Sequence, residues 1–410
     1  MNVPFKNKTS LAMPGISATR LTIPLHNTGS SYWTPQSVSG LDTWYQGVSE
    51  EDVLIPVLGV VGSDANIYFR WDTSIKGEYA IDNKVFAYSN GVLYLSYDAG
   101  FSFVKNIPFA DCNEIRRSKI YANGNILWCT QTKVYLSTDD LSTYNEVIVK
   151  DIDGSAWTPS VNSDGQSYKE LNVGRQVIIG GVEYDVWGNY GNSVGVSDNE
   201  TNVFATLDSG VTIRIIYKFD GIAPNLAARH IHATNFIDGY WIVQTGDTVD
   251  RCNWLKLTYS GGVWTPLTLA SSDENSYNKT TGMYYDGTYI FWGSDATGDV
   301  LKRSIYKVPI AGLLDTVEYI GVYSNVADII NSFQMNSNGE FIAGCGGNSY
   351  RKLILSKDSG VTNLEKTLTG PGGNLSYLRV STKNAQGWWR MDASISTLPF
   401  GTGTMWVKFK

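Results

Sequence analysis

Three histidines occur in the 410 residues, and two of them, His230 and His232, stand two apart. On a strand that spacing turns both rings to one face. There they can serve as substrate ligands, as an acid and base pair, or as two metal ligands. The plainer alternative is a pair of polar side chains hydrogen-bonded between neighbouring elements around a wet channel. A metal wants a third ligand. Asp247, in the Gly246-Asp247 turn, is the obvious suggestion, and no metal or cofactor is assigned on these residues. Arg116, Arg229 and Arg379 stand at plausible strand starts. They suit bidentate binding of a sugar carboxylate, or equally the pairing of acids between elements. Tyr285 with a histidine and an arginine would suffice for a uronate lyase. The arginine neutralises the carboxylate, and His or Tyr removes the adjacent proton. Tyr190 stands upstream of the pair as a further ligand contact, and His26 lies in a polar N-terminal stretch with no assigned role.

These residues must be held by strands. Tight-turn pairs recur at Asn123-Gly124, Gly180-Gly181, Asp238-Gly239, Asp286-Gly287 and Asn338-Gly339, with Gln386-Gly387 in the same slot. Their glycines are 48 to 58 residues apart. Such dipeptides between β-rich runs are hairpin signals, and a period near this length means a repeat architecture. Each unit reads as a four-stranded meander, the fourth being 230–236, 240–245, 254–258 and 263–269. Seven units fit the chain, and no segment offers a long amphipathic helix. The spacing therefore predicts an all-β, seven-bladed β-propeller of four-stranded antiparallel blades over residues 51–410, with an irregular N-terminal arm over 1–50. The last unit ends at Met405-Trp406-Val407-Lys408-Phe409 with no fourth strand after it. The alternating stretch Thr19 to Leu25 is a candidate to close the ring and remove that edge. Residues 150–175 read as a polar insertion.

A second motif runs in step with the turns. Ser96-Tyr97-Asp98-Ala99-Gly100 is its cleanest copy, followed by Thr206-Leu207-Asp208-Ser209-Gly210 and Ser356-Lys357-Asp358-Ser359-Gly360. Ser137-Thr138-Asp139-Asp140 is weaker, with Leu141 where glycine is expected, and Ser260-Gly261-Gly262 is shortened. Each follows an apolar run, so a strand enters a turn. The Asp carboxylate accepts the turn's own amides and Gly supplies positive φ. The motif is a scaffold element.

Net charge is −7 and charged residues make up 17%. No cluster of Lys or Arg marks a nucleic-acid surface. No apolar run is long enough for a membrane span, and no apolar stretch follows the N-terminus as a signal peptide would need. The four cysteines, Cys112, Cys129, Cys252 and Cys345, form no CxxC pair and read as buried thiols.

The repeated S/T-x-D-x-G turn, from about residue 53 to the end, resembles the Asp-box, or BNR, repeat of sialidase-like propellers. That resemblance implies the propeller fold and leaves function open among sialidases, other glycoside hydrolases, polysaccharide lyases, sorting receptors and viral proteins. A sialidase has an Arg-Ile-Pro tripeptide near its start; Arg20-Leu21-Thr22-Ile23-Pro24 carries two extra residues. The order of Val186-Trp187-Gly188-Asn189-Tyr190-Gly191, an Asp box, Arg229-His230-Ile231-His232 and Gly246-Asp247 is similar to some uncharacterised BNR-repeat proteins. In those, an acid stands where this chain has Asn189.

In a four-stranded meander the 1–2 and 3–4 turns share one end, and the irregular 2–3 and 4–1 connections share the other. Binding sites favour variable loops on a rigid scaffold, so the end opposite the Asp boxes is the expected contact face for a glycan or protein partner. The expected function is non-enzymatic recognition, in a virion or on an extracellular surface, within an assembly docked through the arm. The alternative is a glycoside hydrolase or lyase of acidic polysaccharide using His230, His232, Tyr285 and an arginine.

Overall fold

The computed structural model describes residues 35–38, 41–47, 59–63, 67–72, 76–81, 84–89, 91–97, 104–159, 177–190, 201–221, 225–246, 252–272, 277–296, 304–312, 318–319, 329–346, 351–367, 369–370, 373–383, 389–395 and 402–409. Seven antiparallel sheets follow one another along the chain. Blade 1 is Lys76–Ile81, Lys84–Ser89, Val92–Ser96 and Lys105–Pro108. Blade 2 is Arg117–Ile120, Ile126–Cys129, Val134–Ser137 and Asn145–Val147. Blade 3 is Val177–Ile179, Val182–Gly188, Asn202–Thr206 and Ile213–Lys218, with Val149–Lys150 added in parallel at its outer edge. Blade 4 is His230–Ile237, Tyr240–Gly246, Cys252–Ser260 and Val263–Ser272; blade 5 is Thr280–Tyr285, Tyr289–Ser294, Ile305–Pro309 and Glu318–Tyr319. Blade 6 is Ile329–Met335, Phe341–Gly346, Arg351–Ser356 and Leu364–Thr367; blade 7 is Gly373–Lys383, Trp389–Ile395, Thr402–Phe409 and Ile67–Asp72. Contacts run from blade to blade and return from Thr402–Phe409 to Lys76–Ile81. The molecule is a seven-bladed β-propeller.

The middle strands are apolar on both faces because each blade is covered by two neighbours. Ile126, Leu127, Trp128 and Cys129 are all buried. Trp128 packs with Phe86, Leu93 and Leu95 of blade 1, while Leu127 and Cys129 pack with Phe204 and Ile213 of blade 3. Further layers join blades 3 and 4, 4 and 5, and 5 and 6. Each large side chain removed from water in these layers contributes about 1.5–3 kcal/mol. Cys112, Cys129, Cys252 and Cys345 are buried thiols with no disulfide joining them to one another.

The strand that closes the ring is Ile67–Asp72, paired antiparallel with Thr402–Phe409. The stretch from Thr19 to Leu25 lies outside the described residues. Part of the expected irregular arm is also strand: Pro35–Val38 and Leu41–Gly47, with Gly59–Ser63, extend the blade 7 sheet outward from Ile67–Asp72. Strand addition satisfies backbone groups that the edge of Ile67–Asp72 would otherwise expose. Lys150, the first residue of the expected polar insertion, ends the strand Val149–Lys150 of blade 3.

Three Asp boxes have one hydrogen-bond pattern, each between the third and fourth strands of its blade. Asp139 Oδ1 accepts the hydroxyl of Ser137 at 3.0 Å and the amide of Thr143 at 2.9 Å, and Oδ2 accepts the Thr143 hydroxyl at 2.7 Å. Asp208 repeats this with Thr206 and Thr212, and Asp358 with Ser356 and Thr362. The first hydroxyl also accepts the amide of Leu141, Gly210 or Gly360. Leu141 takes the glycine position with φ 60° and is wholly buried in the core between blades 1 and 2. Its burial offsets the steric cost of that backbone. Ser96 is buried, and Asp98 and Gly100 lie outside the described residues. The 1–2 turns meet these boxes. Asn125 Nδ2 donates to Ser209 O at 3.0 Å, and the Ser359 amide donates to Gly339 O at 2.8 Å. Both kinds of turn therefore share one end of the ring.

Candidate functional site

His230 opens the first strand of blade 4, so it lies at the end opposite the Asp boxes. The two rings do not share a face through simple alternation. Ile231 pairs with Thr245 and Ala233 with Gln244, which leaves His232 as the extra residue of a β-bulge. A bulge re-aims a side chain, and here it brings His230 Nε2 to 3.0 Å from His232 Nε2. His232 Nδ1 lies 2.6 Å from the Thr280 carbonyl of blade 5. A carbonyl only accepts, so His232 carries its proton on Nδ1, and in the neutral pair His230 donates from Nε2. Both rings are almost wholly buried, at 0% and 2% exposure. Tyr190 stacks on His230 with centroids 4.1 Å apart and planes 25° apart. Gly246 makes the arrangement possible, because a Cβ there would fall within 2.5 Å of His232 Cε1.

The same device recurs in the next blades. Thr281, Asn331 and Ser376 are the bulged residues of blades 5, 6 and 7. The Thr281 hydroxyl donates to the Ile330 carbonyl at 2.8 Å, just as His232 binds Thr280. In both cases the bulged side chain bonds the carbonyl just before the next blade's bulged residue.

The remaining candidates divide. Arg229 and Arg116 are half-buried at the same end as the histidines, in blades 4 and 2. Arg229 O accepts the Thr201 hydroxyl, and Arg116 Nη1 donates to Ile115 O at 3.2 Å. Arg379 sits within the first strand of blade 7, where its backbone pairs with Asp392, and its side chain is outside the description, as is Asp247. Tyr285 does not join the histidines. It ends the strand that Thr280 begins, roughly 15 Å away at about 3.3 Å per residue, and its hydroxyl donates to Gly287 O in the turn on the Asp-box side. Burial, with the nearby Asp238 and Asp286, raises its pKa. The expected lyase set is therefore split between the two ends of the ring, because strand length separates residues that sequence order places close. Asn189 is buried, and its Oδ1 accepts the Asn202 amide at 2.6 Å.

A second polar cluster has no counterpart in the sequence reading. Arg117, Lys119 and Tyr121 alternate along blade 2 and face Asp185 across the seam to blade 3. Arg117 Nη2 donates to both Asp185 oxygens at 2.9 and 2.7 Å, Lys119 Nζ at 3.0 Å and the Tyr121 hydroxyl at 2.8 Å. Glu183, two residues from Asp185, accepts the Ala122 amide. Burial opposes the charge of Asp185, but Arg117 and Lys119 overcome it and hold its pKa at about 2. The Arg117 guanidinium also lies 4.2 Å from the Trp187 ring. The alternation of Arg117, Lys119 and Tyr121 against Glu183 and Asp185 was the only available signal, and it names no partner across 68 residues.

Fold and cluster together define the class, a β-propeller with polar side chains gathered at one end of its first strands. No protein-family model and no curated protein matches the chain. Among solved structures it is similar to YCF48 bound to D1 peptide, at 10% identity over 87% of this chain and 99% of that one, with a TM-score of 0.48. It is also similar to the Dos1 propeller, at 10% identity over 92% and 94% of the two chains, TM-score 0.45. A third is the extracellular domain of the putative hybrid two component system BT4673 from B. thetaiotaomicron, at 12% identity over 81% of this chain and 38% of that one, TM-score 0.45. The likeness is to architecture alone.

Proposed function

We propose that this chain is an Asp-box propeller of the sialidase-like superfamily that acts as a non-enzymatic recognition module. It would present the end opposite the Asp boxes to a glycan, as part of a particle or surface assembly docked through its N-terminal region. The observation that carries this reading is the state of the paired imidazoles. They are buried, turned to each other and to Thr280 O, and the tyrosine that a lyase would need stands at the far end. Asn189, where the resembling proteins carry an acid, is given over to a backbone amide. Tyr190, half-buried beside His230, offers an aromatic surface of the kind that stacks on sugar rings.

The experiment is a panel of neutral and acidic glycans, read for retention and for turnover in parallel. Expected are retention of at least one glycan class, no new reducing ends, no unsaturated uronate, and about tenfold weaker binding for Tyr190→Ala, the equivalent of ~1.4 kcal/mol. Turnover that is lost in His232→Gln would replace this reading with a hydrolase or lyase. Retention of a protein fraction without any glycan would move the partner from sugar to protein.

A further inference from the structure

We infer that His230, His232 and Gln244 form a site for a divalent transition-metal ion of the zinc class, independent of whether this end of the ring binds glycan. Two imidazole nitrogens 3.0 Å apart leave room for one positive centre between or beside them. That centre is either a proton or a metal ion. Two Nε2 atoms at about 2.1 Å from one tetrahedral ion stand about 3.4 Å apart, so the rings need part by only about 0.4 Å from their hydrogen-bonded spacing to hold it.

The orientation of His232 suits the second occupant. Its Nδ1–H is committed to the Thr280 carbonyl, which leaves the Nε2 lone pair facing inward. A backbone carbonyl on the far nitrogen is the usual support of a metal-bound histidine. Gln244 is the independent observation. It stands opposite the His232 bulge in the ladder and is wholly buried. Its Oε1 is enclosed and receives no hydrogen bond among the described residues, while its Nε2 is directed at Met283 Sδ. A buried carbonyl oxygen in that state calls for a water or a cation.

On metal binding His230 shifts its proton from Nε2 to Nδ1, so the pair itself releases none. Two imidazoles and one amide oxygen leave the other positions of the ion to water. Imidazole nitrogen selects Zn, Co, Ni or Cu over Ca or Mg. No group of three His, Cys, Asp or Glu side chains gathers among the described residues. The site is therefore an exchangeable one, weaker than a closed structural zinc centre.

The test uses the full chain, free of any affinity tag and stripped with chelator, titrated with Co2+ and then Zn2+ near neutral pH. Calorimetry, visible ligand-field absorption and thermal unfolding are the readouts. One saturable Co2+ per chain is expected, with bands displaced by Zn2+ and a raised unfolding temperature. His230→Asn and His232→Asn each weaken binding about tenfold or more, and His26→Asn leaves it unchanged. Gln244→Glu, which supplies a carboxylate in the same place, tightens binding and makes folding more dependent on the ion, so a failure of the histidine variants to fold still leaves a decisive variant. Absence of saturable Co2+ binding in the parent chain overturns the inference. So does an affinity that is indifferent to His230→Asn, His232→Asn and Gln244→Glu alike.

Discussion

Asp185 and Gly246 are the residues with the largest consequences for their size. Asp185 is the acceptor for a guanidinium, an ammonium and a phenol in one buried seam. Asp185→Asn keeps the shape and removes the anion, leaving Arg117 and Lys119 buried without their partner. A loss of about 3–5 kcal/mol is expected by chemical denaturation. The same group sets an acid limit. Its folded pKa of about 2 lies below the ordinary carboxylate value near 3.9 in the unfolded chain. Its stabilisation is therefore complete above pH ~4 and is lost as the pH falls towards ~2. Unfolding free energy measured between these limits should decline in the parent chain and decline less in Asp185→Asn. Gly246→Ala drives a methyl group into the His232 ring. It should cost about 1–3 kcal/mol and weaken any ligand bound beside that ring. A fully stable Gly246→Ala would show that the bulge yields more easily than its packing implies.

At the scale of elements, the Asp box is a hairpin lock whose last member is a threonine. Thr143, Thr212 and Thr362 each give an amide and a hydroxyl to the carboxylate. Thr212→Val removes one hydroxyl bond and keeps the shape, so a loss of about 1 kcal/mol is expected. Asp208→Ala removes the whole acceptor and should cost more, as read by urea unfolding. Leu141→Gly separates the two demands on that position. Relief of the left-handed backbone is worth about 1 kcal/mol, while loss of a buried leucine costs 2–5 kcal/mol. Net destabilisation is the expected sign. The bulges of blades 4 and 5 act in series, since His232 bonds Thr280 and Thr281 bonds Ile330.

For the whole molecule the closing strand is decisive. Ile67–Asp72 lies between Thr402–Phe409 and Gly59–Ser63, so it is an interior strand of blade 7. Removal of residues 1–72 exposes the edge of Thr402–Phe409. The truncated chain should elute as larger species in size-exclusion chromatography and unfold at lower temperature than the parent. A truncated chain that remains monomeric with unchanged unfolding would show that the ring closes through its side-chain layers alone.

The blade number, the hairpin turns and the end of the ring on which the repeated turns gather were legible along the chain, because each depends on a few neighbouring residues. Asn123-Gly124 and Asp238-Gly239 demand positive φ, and Ser137, Asp139 and Thr143 find one another within seven residues. Their recurrence then counts the blades. Three things lay beyond that reach. Ile67–Asp72, rather than another alternating stretch, completes blade 7. Arg117 meets Asp185, and a bulge rather than alternation turns His232 towards His230. Ladder register and charge pairing are settled by which strands lie side by side once the ring is shut, and spacing in the chain carries no measure of that distance.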